Sequence, residues 1–427
     1  MPRSRSSSRR ISFLPPPELR GPLLAGAALF VGSWLFIVYV PTFATYLYGD
    51  VRLYEKWGQL MAQHHVPYRD FRMEYPPGAL ITFVAPVYAR KLAGYHGVYV
   101  DWFRGELLVI GLLSLAAMTW ALASLGVSRR RAYVALAVAG VGPALLGPIA
   151  FSRFDYWPAL FAVAAVAALA SNRPALACGF AAFGAATKVY PAVIIPIALI
   201  ELWRRNGARA VAQGVALALA VVAALTATVA AIAPDGVAWA LHRQFARPLQ
   251  VESLGAAFFA AAHLLANVHL HVVNSAGSAN LTGAGPDLAA TLSTVVTLVA
   301  LLAIYVLYAQ SGRTRDEGVV ACVAAVTAYV AFSKVFSPQY LIWLIPLVPL
   351  VGGRRGVRAS VLLVAVLGLT QIWEPYRYHQ YYTTFTPWLT WLVIVRNLLV
   401  VALVVVLVEP LLHRHAERLD PVGATVV

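Results

Sequence analysis

Apolar runs of about 15–25 residues, separated by short polar breaks, fill most of the chain, which is the length a helix needs to cross a bilayer. They fall at approximately 22–46, 102–125, 132–150, 156–171, 174–188, 190–203, 208–233, 287–310, 318–334, 338–352, 358–373 and 386–411. The pattern predicts an all-α polytopic membrane protein of about twelve transmembrane helices. Strands of a membrane barrel would be about 10 residues long with alternating apolar positions, and that alternation is absent. Pro77–Arg90 is about 14 residues, short for a crossing. Its Pro76-Pro77 start suits a first helical turn, and it is expected to be an interfacial or re-entrant helix. Two breaks, 47–101 and 234–286, exceed the roughly 15 residues beyond which loops are usually functional or disordered. The Gly/Ser/Asn-rich stretch from His269 to Asp287 is expected to be flexible.

The charges orient these elements. Ser128-Arg-Arg-Arg131, Asn172-Arg-Pro174, Arg204 to Arg209, Arg313-Thr-Arg315, Arg354 to Arg358 and His413 to Arg418 are basic breaks. The positive-inside rule makes them cytoplasmic, with both termini inside and the long loops outside. The expected organisation is a basic cytoplasmic tail over 1–21, one transmembrane domain over 22–411 and a cytoplasmic tail over 412–427. The first run is too long for a signal-peptide core and has no small-residue cleavage site, so it remains as a span. The net charge of +15 comes mostly from the arginine clusters of these breaks and of the N-terminal tail and forms no basic-aromatic module, which argues against nucleic acid. Hydrophobic residues make up 60% and charged residues 12%, about half the charge of a soluble domain. The two cysteines, Cys178 and Cys322, lie in apolar runs as packing residues. No internal repeat is visible.

This topology leaves a set of mixed polar residues on the outer side. It includes Asp50, His64, His65, Glu74, Tyr75, Arg104, Arg153, Asp155, Lys188, Arg247, Gln250, Glu252, Lys334, Gln339, Tyr340, Glu374, Arg377 and His379. Ionisable groups at the membrane are costly and by default point to function. Asp50 ends the first span and reads as a catalytic base, which takes the proton of an attacking hydroxyl; the simpler alternative is a solvated helix-end acid paired with Arg52. Lys188 and Lys334 end spans and read either as phosphate ligands or as lysines snorkelling to the interface. Arg247 and Arg377 are further phosphate candidates, with Arg247–Glu252 as a possible structural ion pair. Asp155, Gln250, Glu252, Gln339, Tyr340 and His379 are candidate substrate contacts, with Glu74 and Tyr75 from the first loop. The spacing of His64, His65 and His379 supports no metal site, and no cofactor is expected. Trp343, Trp373, Trp388 and Trp391 read as interfacial anchors. Asn280-Leu-Thr282 has the form of a glycosylation acceptor.

Gly49-Asp50, Tyr54, Pro67-Tyr68 and Glu74-Tyr-Pro-Pro77 resemble the first outer loop of glycosyltransferase family 87, a branch of the GT-C membrane glycosyltransferases. Ser152-Arg-Phe-Asp155, Lys188-Val-Tyr-Pro191, Arg247 to Ser253 and Lys334 to Tyr340 extend the resemblance over about 22–400. It implies a GT-C fold with interfacial helices in the first outer loop, Asp50 as the base, and a polyprenyl-phosphate sugar donor, mannose favoured. The first loop carries one acid after Gly49 rather than an Asp-x-Asp pair, so metal dependence does not carry over.

Together these readings predict a cell-envelope glycosyltransferase of the plasma membrane, active on its outer face. It would transfer a sugar from a polyprenyl-phosphate donor to a lipid or glycan acceptor. One base without a second paired carboxylate predicts inversion. The rival expectation is a transporter or flippase of a lipid-linked sugar, which would show broken helices at mid-bilayer and pseudo-symmetry.

Overall fold

A computed structural model describes residues 16–44, 50–311 and 314–419. The motif residues Tyr46–Gly49, Arg313, most of the N-terminal tail and the end of the C-terminal tail lie outside the described residues. The chain begins with α1 (Pro17–Tyr39) and the short α2 (Pro41–Ala44). In the first long loop, α3 (Val51–Ala62) packs on α4 (Leu80–Leu92). Next come α5 (Tyr99–Ser124), α6 (Arg129–Leu146), α7 (Tyr156–Ala170) and α8 (Pro174–Ala185). The long α9 (Ile195–Ile232) is interrupted at Gly207, whose φ of 67° leaves the helical region. The halves on either side of it fold back on each other, since a Cβ on Gly214 would lie 2.5 Å from Leu202 and 3.2 Å from Leu199, so the expected runs 190–203 and 208–233 are two antiparallel helices joined at a glycine turn.

The second long loop holds α10 (Pro234–Phe245), β1 (Leu249–Gln250), α11 (Leu254–Ala266), β2 (His271–Ser275) and β3 (Ser278–Thr282). The last segment comprises α12 (Ala284–Ser311), α13 (Arg315–Phe332), α14 (Leu341–Leu347), α15 (Gly353–Trp373), α16 (Tyr378–Thr384) and α17 (Pro387–Leu419). Among the described residues, seven helices are long and apolar enough to cross a membrane, and four more apolar helices are shorter. The protein is thus a polytopic helical membrane protein. α13 carries Arg315, Asp316 and Glu317 in its first turn but is buried on all sides beyond them. An apolar helix surrounded by others belongs to the core of the bundle.

The structure corrects the expectation of a flexible stretch after His269. β2 and β3 form an antiparallel hairpin, and β1 adds to it in the order β1-β3-β2. Its turn places Ala276 at φ 53° and Gly277 at φ 71°, the two positive φ values of a type I′ turn. Asn280 is fully buried, and its amide donates to the Ser275 and Ser278 carbonyls at 2.8 and 2.9 Å. It is therefore a hairpin lock and not a glycosylation acceptor. The sheet packs with α11 and the start of α17 around Leu249, Leu281, Trp373, Tyr381 and Leu389, a core separate from that of the main bundle.

The basic breaks meet one another at one end of the bundle. Arg131 donates to the Leu350 carbonyl at 2.6 Å, Arg315 to Ser124 at 3.2 Å and Arg205 to Asn172 at 3.3 Å. Ser124 and Ser171 are joined at 2.7 Å. The mixed polar residues collect elsewhere, through the contacts described next.

Candidate active site

Asp50 stands immediately before α3, and its carboxylate meets Arg153 at 3.1 Å. The partner is thus Arg153, about a hundred residues away in sequence, from the turn between α6 and α7. Asp50 is part exposed while Arg153 is mostly covered, so the acid faces open space and the guanidinium backs it. The ion pair orients the carboxylate and leaves it part exposed.

Behind this pair lies an aromatic wall. Tyr54 of α3 stacks on Phe83 with centroids 4.7 Å apart, and Tyr75 meets Phe154 edge-on at 4.7 Å. The loop carrying Tyr75 is pinned from several sides. Tyr68 Oη donates to the Tyr75 carbonyl at 2.5 Å, and Gln244 donates to the Glu74 carbonyl at 2.6 Å. The Glu74 carboxylate pairs with Arg243 at 3.2 Å. Gly78 N donates to Ala186 O at 2.8 Å, and a Cβ there would lie 2.6 Å from that oxygen. Only glycine allows this approach, which brings the first loop against the end of α8.

Lys188 follows directly. Its ammonium is 2.7 Å from Asp155 Oδ1, and Trp343 Nε1 donates to the same oxygen at 2.6 Å. The rings of Phe154, Tyr340, Trp343 and Tyr75 surround the ammonium at 5.2–5.9 Å. Asp155 is fully buried and Lys188 nearly so. The structure therefore places Lys188 in a closed ion pair with cation–π contacts, unlike the snorkelling or open phosphate-binding positions its sequence suggested. Trp343 is likewise a buried partner of Asp155, and Trp373 is fully buried, so neither is an interfacial anchor. Trp388 and Trp391 are exposed.

Two further cations lie beside Tyr340, one of the rings around Lys188. Among the described residues, neither Arg247 nor Lys334 makes an ion pair. Lys334 Nζ donates to the Phe245 carbonyl at 2.7 Å, and Arg247 Nη2 to Ala276 O and Ser278 Oγ, each at 2.9 Å. The expected Arg247–Glu252 pair is not formed. Both cations line a groove of roughly 310 Å³ that continues between apolar residues of α12 and the segment after Lys188, including Leu298, Leu301, Val189 and Val193. Tyr340 also lines it, while Gln339 beside Tyr340 is part buried.

A third group was only half seen in the sequence. Glu252 and Glu374 are both buried. Burial first, and then Glu374, pushes Glu252 up to about 8, against the pull of Arg396 and Gln250. Burial also pushes Glu374 up to about 8, opposed by Arg153 and Arg396. Arg396 is fully buried in α17, donates to the Glu252 carbonyl at 3.2 Å and lies 4.0 Å from the Phe336 ring centroid. Gln250 is buried beside them. Arg396 was missed, although a lone arginine within Val393 to Val400 is the costly in-membrane charge that marks a polar site. Arg377 and His379 are exposed: Arg377 donates to Ile372 O at 2.8 Å and lies over Trp388, and His379 packs on Tyr382. No group of His, Cys, Asp and Glu among the described residues could hold a metal.

No family model matches the chain, and no curated protein matches it. Among solved structures, the crystal structure of ArnT from Cupriavidus metallidurans bound to undecaprenyl phosphate is similar to it. The two align over 95% of this chain and 81% of that chain, at 12% identity and a TM-score of 0.46.

Proposed function

We propose that the chain is a membrane glycosyltransferase of GT-C type. It moves a sugar, mannose by the family resemblance, from a polyprenyl-phosphate donor to a lipid or glycan acceptor. The site lies at the end opposite the basic breaks, and the positive-inside rule puts that end on the outer face of the plasma membrane. One observation carries the reading: a carboxylate held by Arg153 is connected, through Tyr75, Lys188 and Tyr340, to a groove lined by Lys334, Arg247 and apolar residues. A prenyl chain suits the apolar length, and a phosphate suits cations that have no acid partner.

In this reading the prenyl chain lies along α12 and the donor phosphate meets Lys334 and Arg247. Asp50 accepts the proton of the acceptor hydroxyl as its oxygen bonds to the anomeric carbon. The bond from that carbon to the phosphate oxygen breaks, and its electron pair leaves on the phosphate, where the cations offset the charge. One displacement inverts the anomeric configuration. Asp155–Lys188 and the aromatic wall position the two halves of the site and touch neither reacting atom.

The test supplies purified protein with a panel of polyprenyl-phosphate sugars and a lipid extract, and identifies products by mass spectrometry. Asp50→Asn keeps the shape of the side chain and loses its basicity. It is expected to reduce turnover by at least the roughly 10²-fold typical of a general base, with donor binding intact. Near-wild-type turnover in that variant would remove Asp50 as the base. The absence of product with every donor would remove the function itself.

A further inference from the structure

A second groove lies at the basic end, between α6 and α15, with a volume of roughly 280 Å³. Its floor is made of small residues, Ala135, Gly356 and Ser360, and its walls include Val134, Val357 and Val361. These three valines are 54%, 62% and 63% exposed, so the walls face the bilayer. Between Gly356 and Val364 the groove follows eight residues of helix, about 12 Å at 1.5 Å per residue.

One end of the groove is cationic. Arg131 lines it, and its guanidinium is held against Gly352, where a Cβ would lie 2.8 Å from Cζ. One nitrogen, Nη2, donates to Leu350 O at 2.6 Å, while the buried Nε has no hydrogen-bond partner. Arg130, Arg354 and Arg358 are exposed nearby in sequence and make no ion pair among the described residues. Asp316 is the carboxylate within electrostatic reach of Arg131. Both α6 and α15 begin at this end, and no side chain caps the first turn of α15. The N-termini of α6 and α15 thus meet at Arg131, and Arg130, Arg354 and Arg358 stand exposed on the same two termini.

We propose that this groove holds one acyl chain of an anionic phospholipid, with the lipid phosphate against Arg131. The charge favours this occupant over a second copy of the chain. A symmetric contact through this face would bring two sets of the same arginines together. A basic pocket between membrane helices with an apolar wall beneath it is suited to an anionic headgroup. The site is at the opposite end from the catalytic groove and does not depend on the glycosyltransferase reading.

The test is native mass spectrometry of the detergent-purified protein with dioleoyl phosphatidylglycerol, dioleoyl phosphatidylcholine or glycerol 3-phosphate alone. The expected result is one phosphatidylglycerol retained per chain, at least tenfold in preference to phosphatidylcholine, and no retention of glycerol 3-phosphate. Arg354→Gln with Arg358→Gln, both exposed, should weaken retention by about fivefold per charge. Val361→Trp, at a position with room toward the lipid, should block the groove and abolish the preference while the protein remains monodisperse. Ser360→Phe blocks it from the floor as a second variant. Equal retention of the two lipids, a preference that survives both blocking variants, or a dimer that Val361→Trp dissociates would each overturn the proposal.

Discussion

Arg153 stands between two acids that it treats differently. It holds Asp50 directly, but it reaches Glu374 only electrostatically, and burial keeps that carboxyl near 8. Glu374 and Glu252 therefore hold their protons in the folded state at pH values where an unfolded chain, with carboxyls near 4.5, has lost them. A raised carboxyl contributes stability that is full below about 4.5 and is lost as the pH rises through the folded value. Thermal unfolding in detergent should show the midpoint falling between about pH 5 and pH 8 and levelling above. Glu374→Gln and Glu252→Gln should each flatten that slope, since the amide has no proton to lose. A wild-type slope retained in both variants would mean that neither group is protonated in the fold. Arg396 explains why the pair is tolerated, because its guanidinium lies among them and needs acceptors of its own.

The segments after α8 and after α13 look alike in sequence, each a lysine leading to an aromatic-proline motif, and the structure gives them different roles. Lys188 is locked to Asp155, whereas Lys334 meets a carbonyl at the mouth of the groove. Lys334→Gln should lower donor affinity roughly 10–150-fold, the loss of a charge-assisted hydrogen bond worth about 1.5–3 kcal/mol, with acceptor affinity at saturating donor unchanged. Lys188→Gln should instead destabilise the fold by about 3–5 kcal/mol, because it strands a buried carboxylate. Donor titrations and thermal unfolding of the two variants separate the roles, and equal donor affinity for wild type and Lys334→Gln would argue against the phosphate assignment. The difference was not legible in the sequence, since it depends on Asp155 and Trp343 arriving from other helices. What was legible is what local pattern dictates. Within the described residues the apolar runs are helical, and the short Pro77–Arg90 segment is a separate helix because prolines and length set it apart. The second long loop is less legible. Its hairpin depends on a turn, Ala276-Gly277, inside a polar stretch that composition alone makes look loose.

At the scale of the whole molecule, the two ends differ in the chemistry they collect. One gathers arginines that bond to carbonyls of neighbouring breaks. The other gathers acids, amides and paired cations around the first and second loops. The positive-inside rule predicts from this sorting that the arginine end stays cytoplasmic and the mixed polar loops are exported. The two native cysteines, Cys178 and Cys322, are buried, so a thiol introduced at the surface can be read without background. Asn274, on the exposed strand β2, and Arg354, at the exposed start of α15, mark the two ends. In intact cells, an impermeant maleimide should label Asn274→Cys and leave Arg354→Cys unlabelled until the membrane is opened. Labelling of Arg354→Cys alone would invert the molecule. Asp50 and the groove mouth would then face the cytoplasm, and a donor displayed on the outer face could no longer reach the base.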